Sequence, residues 1–426
     1  ADEGDTITVL NQVVIKEDRV YDLDGYTVTG ATAPNQMFRI QDGANVTVKN
    51  ANITNNSHYV FVLGSKDKST AGYLTIENGT YVGETTVASV TKGTLTINGG
   101  EFKISEKETY DYAYLINCDD ANFKNGTAKV EIKGGKFYSF NPENNAAEGA
   151  GTDFCAEGYT AVYDAEGYWE VVEAVAKIGD VNYTSLVDAI KAAQDGDEIK
   201  VLRNSAGAGA FISKSITIDF GGYTYTFNKA YTTSSPYGFY MLNMLSSKNV
   251  TLKNGTLTST ETLEDAQVEV LVYNCVNLTL KDMNIVDATD HIKYALSLNS
   301  GEINIIGNTS ITSDAIAFDA YDYSEYFELP VVNVNTTGTI DGGIEVSATL
   351  NITAANLTDD SYIVLQGNGQ LFHNGITTTI KKEISKSSGV QGATTDWNTI
   401  STPVVGGSEI PEAEAGKHDL YYYDEA

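Results

Sequence analysis

Val46-Thr47-Val48-Lys49-Asn50, Leu74-Thr75-Ile76-Glu77-Asn78-Gly79, Leu95-Thr96-Ile97-Asn98-Gly99-Gly100 and Val130-Glu131-Ile132-Lys133-Gly134-Gly135 repeat one pattern. Each alternates aliphatic and polar residues over the length of a strand, which puts the aliphatic side chains on one face. Each ends on Asn or Gly, the residues that enter the left-handed region at least cost and so turn a corner. The pattern returns as Val250-Thr251-Leu252-Lys253-Asn254-Gly255, Leu278-Thr279-Leu280-Lys281-Asp282, Ile303-Asn304-Ile305-Ile306-Gly307 and Leu350-Asn351-Ile352-Thr353. Successive copies lie roughly 20 to 35 residues apart, a period that signals stacked repeats.

A longer repeat contains the short one. Gly4-Asp5-Thr6-Ile7-Thr8-Val9-Leu10 recurs as Gly196-Asp197-Glu198-Ile199-Lys200-Val201-Leu202, and Asn45-Val46-Thr47-Val48-Lys49-Asn50 recurs as Asn249-Val250-Thr251-Leu252-Lys253-Asn254. The offset drifts from about 190 to about 205 residues, as loop insertions into a duplicated array would make it. Two similar domains are therefore expected, residues 1–173 and 174–426. The first is expected to close on a hairpin of Gly158–Tyr163 and Tyr168–Val172 about an Asp-Ala-Glu-Gly turn.

One helix is legible between them. Leu186, Ala189, Ile190 and Ala193 recur at helical spacing, Ser185 can cap the start, and Asp195-Gly196-Asp197 ends the run. A helix over about 185–194 would cover the open end of the second stack, since an uncovered end exposes unpaired backbone groups. Internal symmetry places a matching helix ahead of Gly4, so the N-terminal cap is read as missing.

Each strand is followed by a corner and a shorter second strand, such as Gly100-Glu101-Phe102, and the tight hairpin turns of sandwiches and propellers are rare. The fold expected is all-β: two tandem right-handed parallel β-helix (β-solenoid) domains with a short capping helix between them. An antiparallel roll or sandwich pair is the competing arrangement. Composition fits a turn-rich all-β chain: 39 Gly and 27 Tyr in 426 residues, against 6 Pro and 2 Trp.

The net charge of −30 removes a nucleic-acid surface from first consideration, because a phosphate backbone requires a basic footprint. It also weighs against polyanionic ligands unless Ca2+ bridges the two. No apolar run is long enough to insert in a bilayer. Cys118 and Cys275 occupy matching contexts and read as small buried residues, while a Cys118–Cys155 disulfide stays open.

The Gly/Asn-cornered repeats, with the module from Lys177-Ile178-Gly179-Asp180 through the Ser185 helix to Val201-Leu202, resemble the right-handed β-helix regions of the pectate-lyase-like superfamily. They resemble more closely the repeat modules of secreted and surface proteins of gut bacteria and the structural proteins of their phages. That resemblance implies the fold and an extracellular, cell-surface or virion-surface location. It does not select a function, because the fold carries lyases, hydrolases, tailspikes and inert stalks alike.

The chemistry of the enzymes is thin here. A lyase of this kind wants a calcium cluster with an Arg or Lys base, and a hydrolase wants paired carboxylates. Only Arg19, Arg39 and Arg203 are present, and Asp119-Asp120 and Asp359-Asp360 read as solvated turn residues. The best catalytic candidates are Asp287, Asp290 and His291, which could share a face with Asp314, Asp319 and Asp322 one repeat later.

Aromatic residues give a stronger binding signal. Tyr231, Tyr237, Phe239 and Tyr240 are read as one long insertion, and Tyr321, Tyr323, Tyr326 and Phe327 as another, interleaved with Asp319, Asp322 and Glu325. Tyrosine rings beside carboxylates suit sugars, whose C–H faces pack on rings while acids accept hydroxyl hydrogen bonds. Tyr110, Tyr112 and Tyr114 read as one face of a strand. The functional expectation is a non-catalytic, adhesin-like surface protein that touches a glycan or host-cell surface or serves as a rigid stalk. A phage fibre or head-decoration protein, trimeric if a fibre, and a carbohydrate-active enzyme stay open as alternatives.

Overall fold

The structure, a computed structural model, describes residues 5–24, 26–31, 35–105, 114–164, 166–244, 247–260, 267–374, 376 and 378–382. Tyr110, Tyr112 and the acidic, Tyr-rich C-terminal stretch lie outside the described residues. The fold is all-β, with strands along the whole described chain and two short helices, α1 (Asp120–Lys124) and α2 (Leu186–Ala192).

In the first half the chain returns to the same sheet at every third strand. One sheet runs from Thr6–Val9 to Gly135–Tyr138, a second from Val13–Ile15 to Ile116–Cys118, and a third from Arg19–Asp22 to Ala128–Ile132. Neighbouring strands within each of these runs are parallel. The four quoted repeats are consecutive strands of the third sheet, with Val46, Leu74, Leu95 and Val130 in register and Val48, Ile76, Ile97 and Ile132 in register beside them. All eight side chains are buried, each worth about 1.5–3 kcal/mol when removed from water. The same register continues in the second half through Val250, Leu278, Ile303, Val332 and Leu350. Val332-Asn333-Val334-Asn335 supplies a strand here that the repeat pattern did not single out.

Corners obey the left-handed requirement. Asn50 and its duplicate Asn254 have φ of 52° and 60°, and Asp282 has 55°. The Asn side chains add a ladder of their own, Asn78 donating to Asn50 at 3.0 Å and Asn277 to Asn249 at 3.0 Å. Inside the first half, Tyr81, Phe102 and Phe137 stack at centroid spacings of 5.1 and 4.9 Å, close to the spacing of adjacent strands.

Among the described strands, antiparallel pairing is found in the hairpin Tyr159–Tyr163/Tyr168–Glu173, which ends the first sheet, and at Ala176–Ile178, with isolated antiparallel bridges at Asn145/Thr152 and Thr232/Ser235. The antiparallel sandwich alternative therefore fails. The buried side chains form two clusters, one from Val9 to Val171 and one from Ala176 to Ile363. Helix α2 belongs to the second cluster: Ser185 caps it by accepting from the Asp188 N–H at 3.0 Å, and Leu186, Ala189 and Ile190 are buried.

The structure corrects one further sequence reading and closes an open alternative. Asp119 is not a free turn residue but the N-cap of α1, with an ion pair to Lys68. All three cysteines are free thiols, so Cys118 and Cys155 are not bridged.

Candidate functional site

Four tyrosines of the second half, Tyr231, Tyr237, Tyr240 and Tyr273, gather with Phe211 on one outward face. The strands Ala210–Ile212, Tyr237–Leu242, Val270–Cys275, Tyr294–Ser300 and the end of Ser310–Ala320 are successive parallel neighbours. Period-two alternation sends Phe239, Met241, Val272, Leu296 and Phe318 into the core. The residues between them face outward, and register lines them up as Phe211, Tyr240, Tyr273, Ser297, Asp319 and Glu345.

Tyr237 and Tyr240 therefore sit on a strand of the sheet and not in an insertion, and Phe239 beside them points inward. Tyr231 precedes that strand and packs on Phe211 and Tyr240 at 6.0 and 6.1 Å. Phe211 meets Tyr240 edge-on at 5.3 Å, and Tyr273 stacks on Tyr237 at 4.3 Å and meets Tyr240 at 5.4 Å. The second group is a loop, as read: Tyr321 and Tyr323 lie 4.9 Å apart, and Tyr323 and Tyr326 6.4 Å.

Tyr323 of the loop lies near enough to the strand tyrosines to influence their ionisation. Burial, then the Tyr240 and Tyr323 hydroxyls, raise the Tyr237 phenol above its ordinary pKa. Burial, then Cys275 and the phenols of Tyr237 and Tyr323, raise that of Tyr273 further. The six expected tyrosines thus fall into two groups, Tyr231, Tyr237 and Tyr240 with Phe211 and Tyr273, which the sequence reading missed, and the loop group Tyr321, Tyr323 and Tyr326. Tyr273 was detectable: it occupies the outward position of Val270-Leu-Val-Tyr-Asn-Cys275 by simple alternation.

The acids divide differently from the expectation. Asp319 is only 8% exposed, so it does not offer a solvent-facing carboxylate. Its Oδ1 accepts from the Leu298 N–H at 3.2 Å, and the carboxyl is also hydrogen-bonded to Ser297. Burial, reinforced by Glu345, outweighs those bonds and lifts its pKa to about 7. Tyr294 lies by the same pair, its phenol raised by burial, then by Asp319, Glu345 and Tyr321. Asp322 is elsewhere, turned back to accept from the Ser324 N–H at 2.9 Å while its own N–H donates to Ser347.

Asp287, Asp290 and Asp314 form a separate group. Burial raises the Asp287 carboxyl, Ser313 donates to it at 3.0 Å, and Asp314 and Asp290 are near enough to add to the shift. His291 is exposed on the adjoining loop. The shared face expected for Asp287, Asp290 and His291 with Asp319 and Asp322 is thus split in two. Among the described residues no group of three or more His, Cys, Asp or Glu is arranged to hold a metal ion. Two of the three arginines serve the backbone: Arg39 is buried and donates to Gly64 O, and Arg203 donates to Ala174 O at 2.8 Å.

Beside the aromatic patch lies a cavity of about 310 Å³ between α2 and the strand Ala210–Ile212, with Phe211 and Tyr231 in its wall. No helix among the described residues is long and apolar enough to cross a membrane. Comparison with protein-family models, curated proteins and solved structures returned no match.

Proposed function

We propose that this chain is a non-catalytic, adhesin-like surface protein, built as two tandem right-handed parallel β-helix units, that contacts a glycan through the tyrosine patch of its second unit. The parallel return at every third strand, the left-handed Asn and Gly corners and the separate buried cores support the architecture. The observation that carries the function is the connected outward patch of Phe211, Tyr231, Tyr237, Tyr240 and Tyr273. Rings on a regular sheet are held at fixed spacing, so a sugar chain can pack along them without ordering a loop first. The extracellular or virion-surface location follows from this reading and from the resemblance of the repeats.

The test is affinity electrophoresis and titration calorimetry against a panel of host and plant polysaccharides, with sedimentation to determine whether the particle is a monomer or a fibre-like trimer. Retardation by at least one polysaccharide, lost in Tyr240→Ala, supports the reading. Unchanged migration on every substrate leaves a stalk without ligand.

A second reading rests on one specific pair. Asp319 and Glu345 are direct neighbours across parallel strands, and burial raises the Asp319 carboxyl pKa to about 7. A pair of neighbouring carboxyl groups, one with a raised pKa, is the minimum equipment of a glycosidase. Release of reducing ends that vanishes in both Asp319→Asn and Glu345→Gln would replace the first reading with this one.

A further inference from the structure

We infer that the cavity between α2 and the strand Ala210–Ile212 is the end-subsite of the glycan face, and that it takes a terminal sugar bearing a carboxylate, such as a uronic or sialic acid. This inference rests on the glycan reading of the tyrosine patch and extends it to a ligand class.

Continuity comes first. The Phe211 and Tyr231 rings that wall the cavity are also the first rings of the patch, 5.3 and 6.1 Å from Tyr240. A sugar chain lying on Tyr273 and Tyr240 and continuing past Phe211 enters the cavity and there meets α2, which supplies part of the lining and packs on that strand. The row of rings ends at Phe211, where residues of α2 line the cavity, so the space suits a chain terminus and not an internal segment. At about 310 Å³ the space is at the lower bound of ligand pockets, room for one or two sugar rings.

Charge gives the class. The chain carries 57 acidic and 27 basic residues, yet the charged residues of this lining are Lys191 and Lys214, with no acid. Lys214 donates to the carbonyl oxygens of Lys191 and Ala193 at the end of α2, which fixes its ammonium at the cavity edge with a donor to spare. The Lys191 ammonium pairs with Asp188 at 3.4 Å in an exposed, weak contact that a ligand carboxylate can replace. Ser213 adds a hydroxyl to the same lining. Apolar walls from Ile216 and Phe211 with two cations at the rim match a ring with a hydrophobic face and one carboxylate. The net charge of −30 disfavours a ligand charged along its length, so the acid sugar belongs at the terminus.

The experiment titrates the intact chain by saturation-transfer NMR and calorimetry. The probes are glucuronic acid, galacturonic acid and N-acetylneuraminic acid, with glucose and galactose as neutral counterparts and cellohexaose and maltohexaose as uncharged chains. Binding of an acid monosaccharide at least tenfold tighter than its neutral counterpart, weakened at least tenfold in Lys191→Gln and in the cavity-filling Ser213→Trp, is the expected result. Lys191 is solvent-exposed, so Lys191→Gln remains informative if Ser213→Trp fails to fold. A neutral hexasaccharide that binds and is lost in Tyr273→Ala, with no acid monosaccharide bound, overturns the end-subsite and leaves the glycan face standing. Acid binding indifferent to both cavity variants overturns it as well. No binding of any probe sugar overturns the end-subsite, and the polysaccharide panel then decides the face by itself.

Discussion

Tyr237 and Tyr273 stack face to face at 4.3 Å with an interplanar angle of 14°, although 36 residues of chain separate them. The contact exists because the strands carrying them are parallel neighbours, with Tyr240 directly opposite Tyr273. A binding face made this way inherits the rigidity of the sheet.

The first prediction separates face from core. Tyr273→Ala should leave the melting temperature within a few degrees of the parent and weaken glycan binding about tenfold or more, the effect of losing roughly 1.4 kcal/mol of ring contact. Phe239→Ala, next to Tyr240 on the strand but pointing inward, should cost about 3–5 kcal/mol of stability. Thermal melts and calorimetry on both variants check this. A Tyr273→Ala protein that binds every parent ligand unchanged would remove that ring from the site.

The repeated strands were legible because one face of each is buried, and burial enforces strict alternation. Val46, Leu74, Leu95 and Val130 announce a shared wall by their pattern alone. The site was legible only in part, since composition marks tyrosines but not their direction. Tyr237 and Tyr240 looked like insertion residues because aromatic and Gly-rich sequence breaks the Val-Thr pattern, yet the strand simply substitutes aromatic for aliphatic. Asp319 looked exposed because it is an aspartate; its surroundings include Ser297, Leu298 and Glu345 of other strands, which no local pattern encodes. Helix α1 was missed because five residues hold too little periodicity to read.

The corners make a second prediction. A Cβ on Gly79 would need φ of +116° and would lie 2.4 Å from the Ala51 carbonyl oxygen of the neighbouring strand. Gly79→Ala should therefore lose about 1–3 kcal/mol from each of the two causes, backbone strain and steric overlap. Gly126 also has positive φ, +75°, but no atom lies within 4 Å of the position an alanine methyl would take there, so Gly126→Ala should cost only about 1–2 kcal/mol. Urea unfolding of the pair provides the comparison, and equal losses would contradict the close strand approach at Gly79.

The thiols give a third. Burial raises the pKa of Cys118, Cys155 and Cys275, the last to about 12, so none is an appreciable thiolate at pH 8. Titration with a disulfide reagent should find three reactive thiols in denaturant and little reaction in the native protein over the same minutes. Fewer than three thiols in unreduced, denatured protein would reveal a bridge.

The fourth concerns Asp319 and the direction of its pH effect. Its pKa is raised from 3.8 to about 7 in the folded protein, so folding is proton-linked between those values. Below about pH 4 the carboxyl is protonated in both states and exerts no penalty. From pH 4 to 7 the unfolded chain releases the proton while the folded chain keeps it, so stability falls as pH rises, by at most about 4 kcal/mol. Above 7 both are ionised, and the loss is constant. Asn imitates the protonated acid, and Asp319→Asn should therefore match the parent near pH 4 and melt higher at pH 8, by roughly 5 °C if half of the maximum is realised. The difference between parent and variant melting temperatures, plotted from pH 4 to 8, isolates this one group from the other carboxylates. A difference that is flat across that range, or that favours the parent at pH 8, would show that folding does not raise the Asp319 pKa, and the pairing of a raised carboxyl with Glu345 would fall with it.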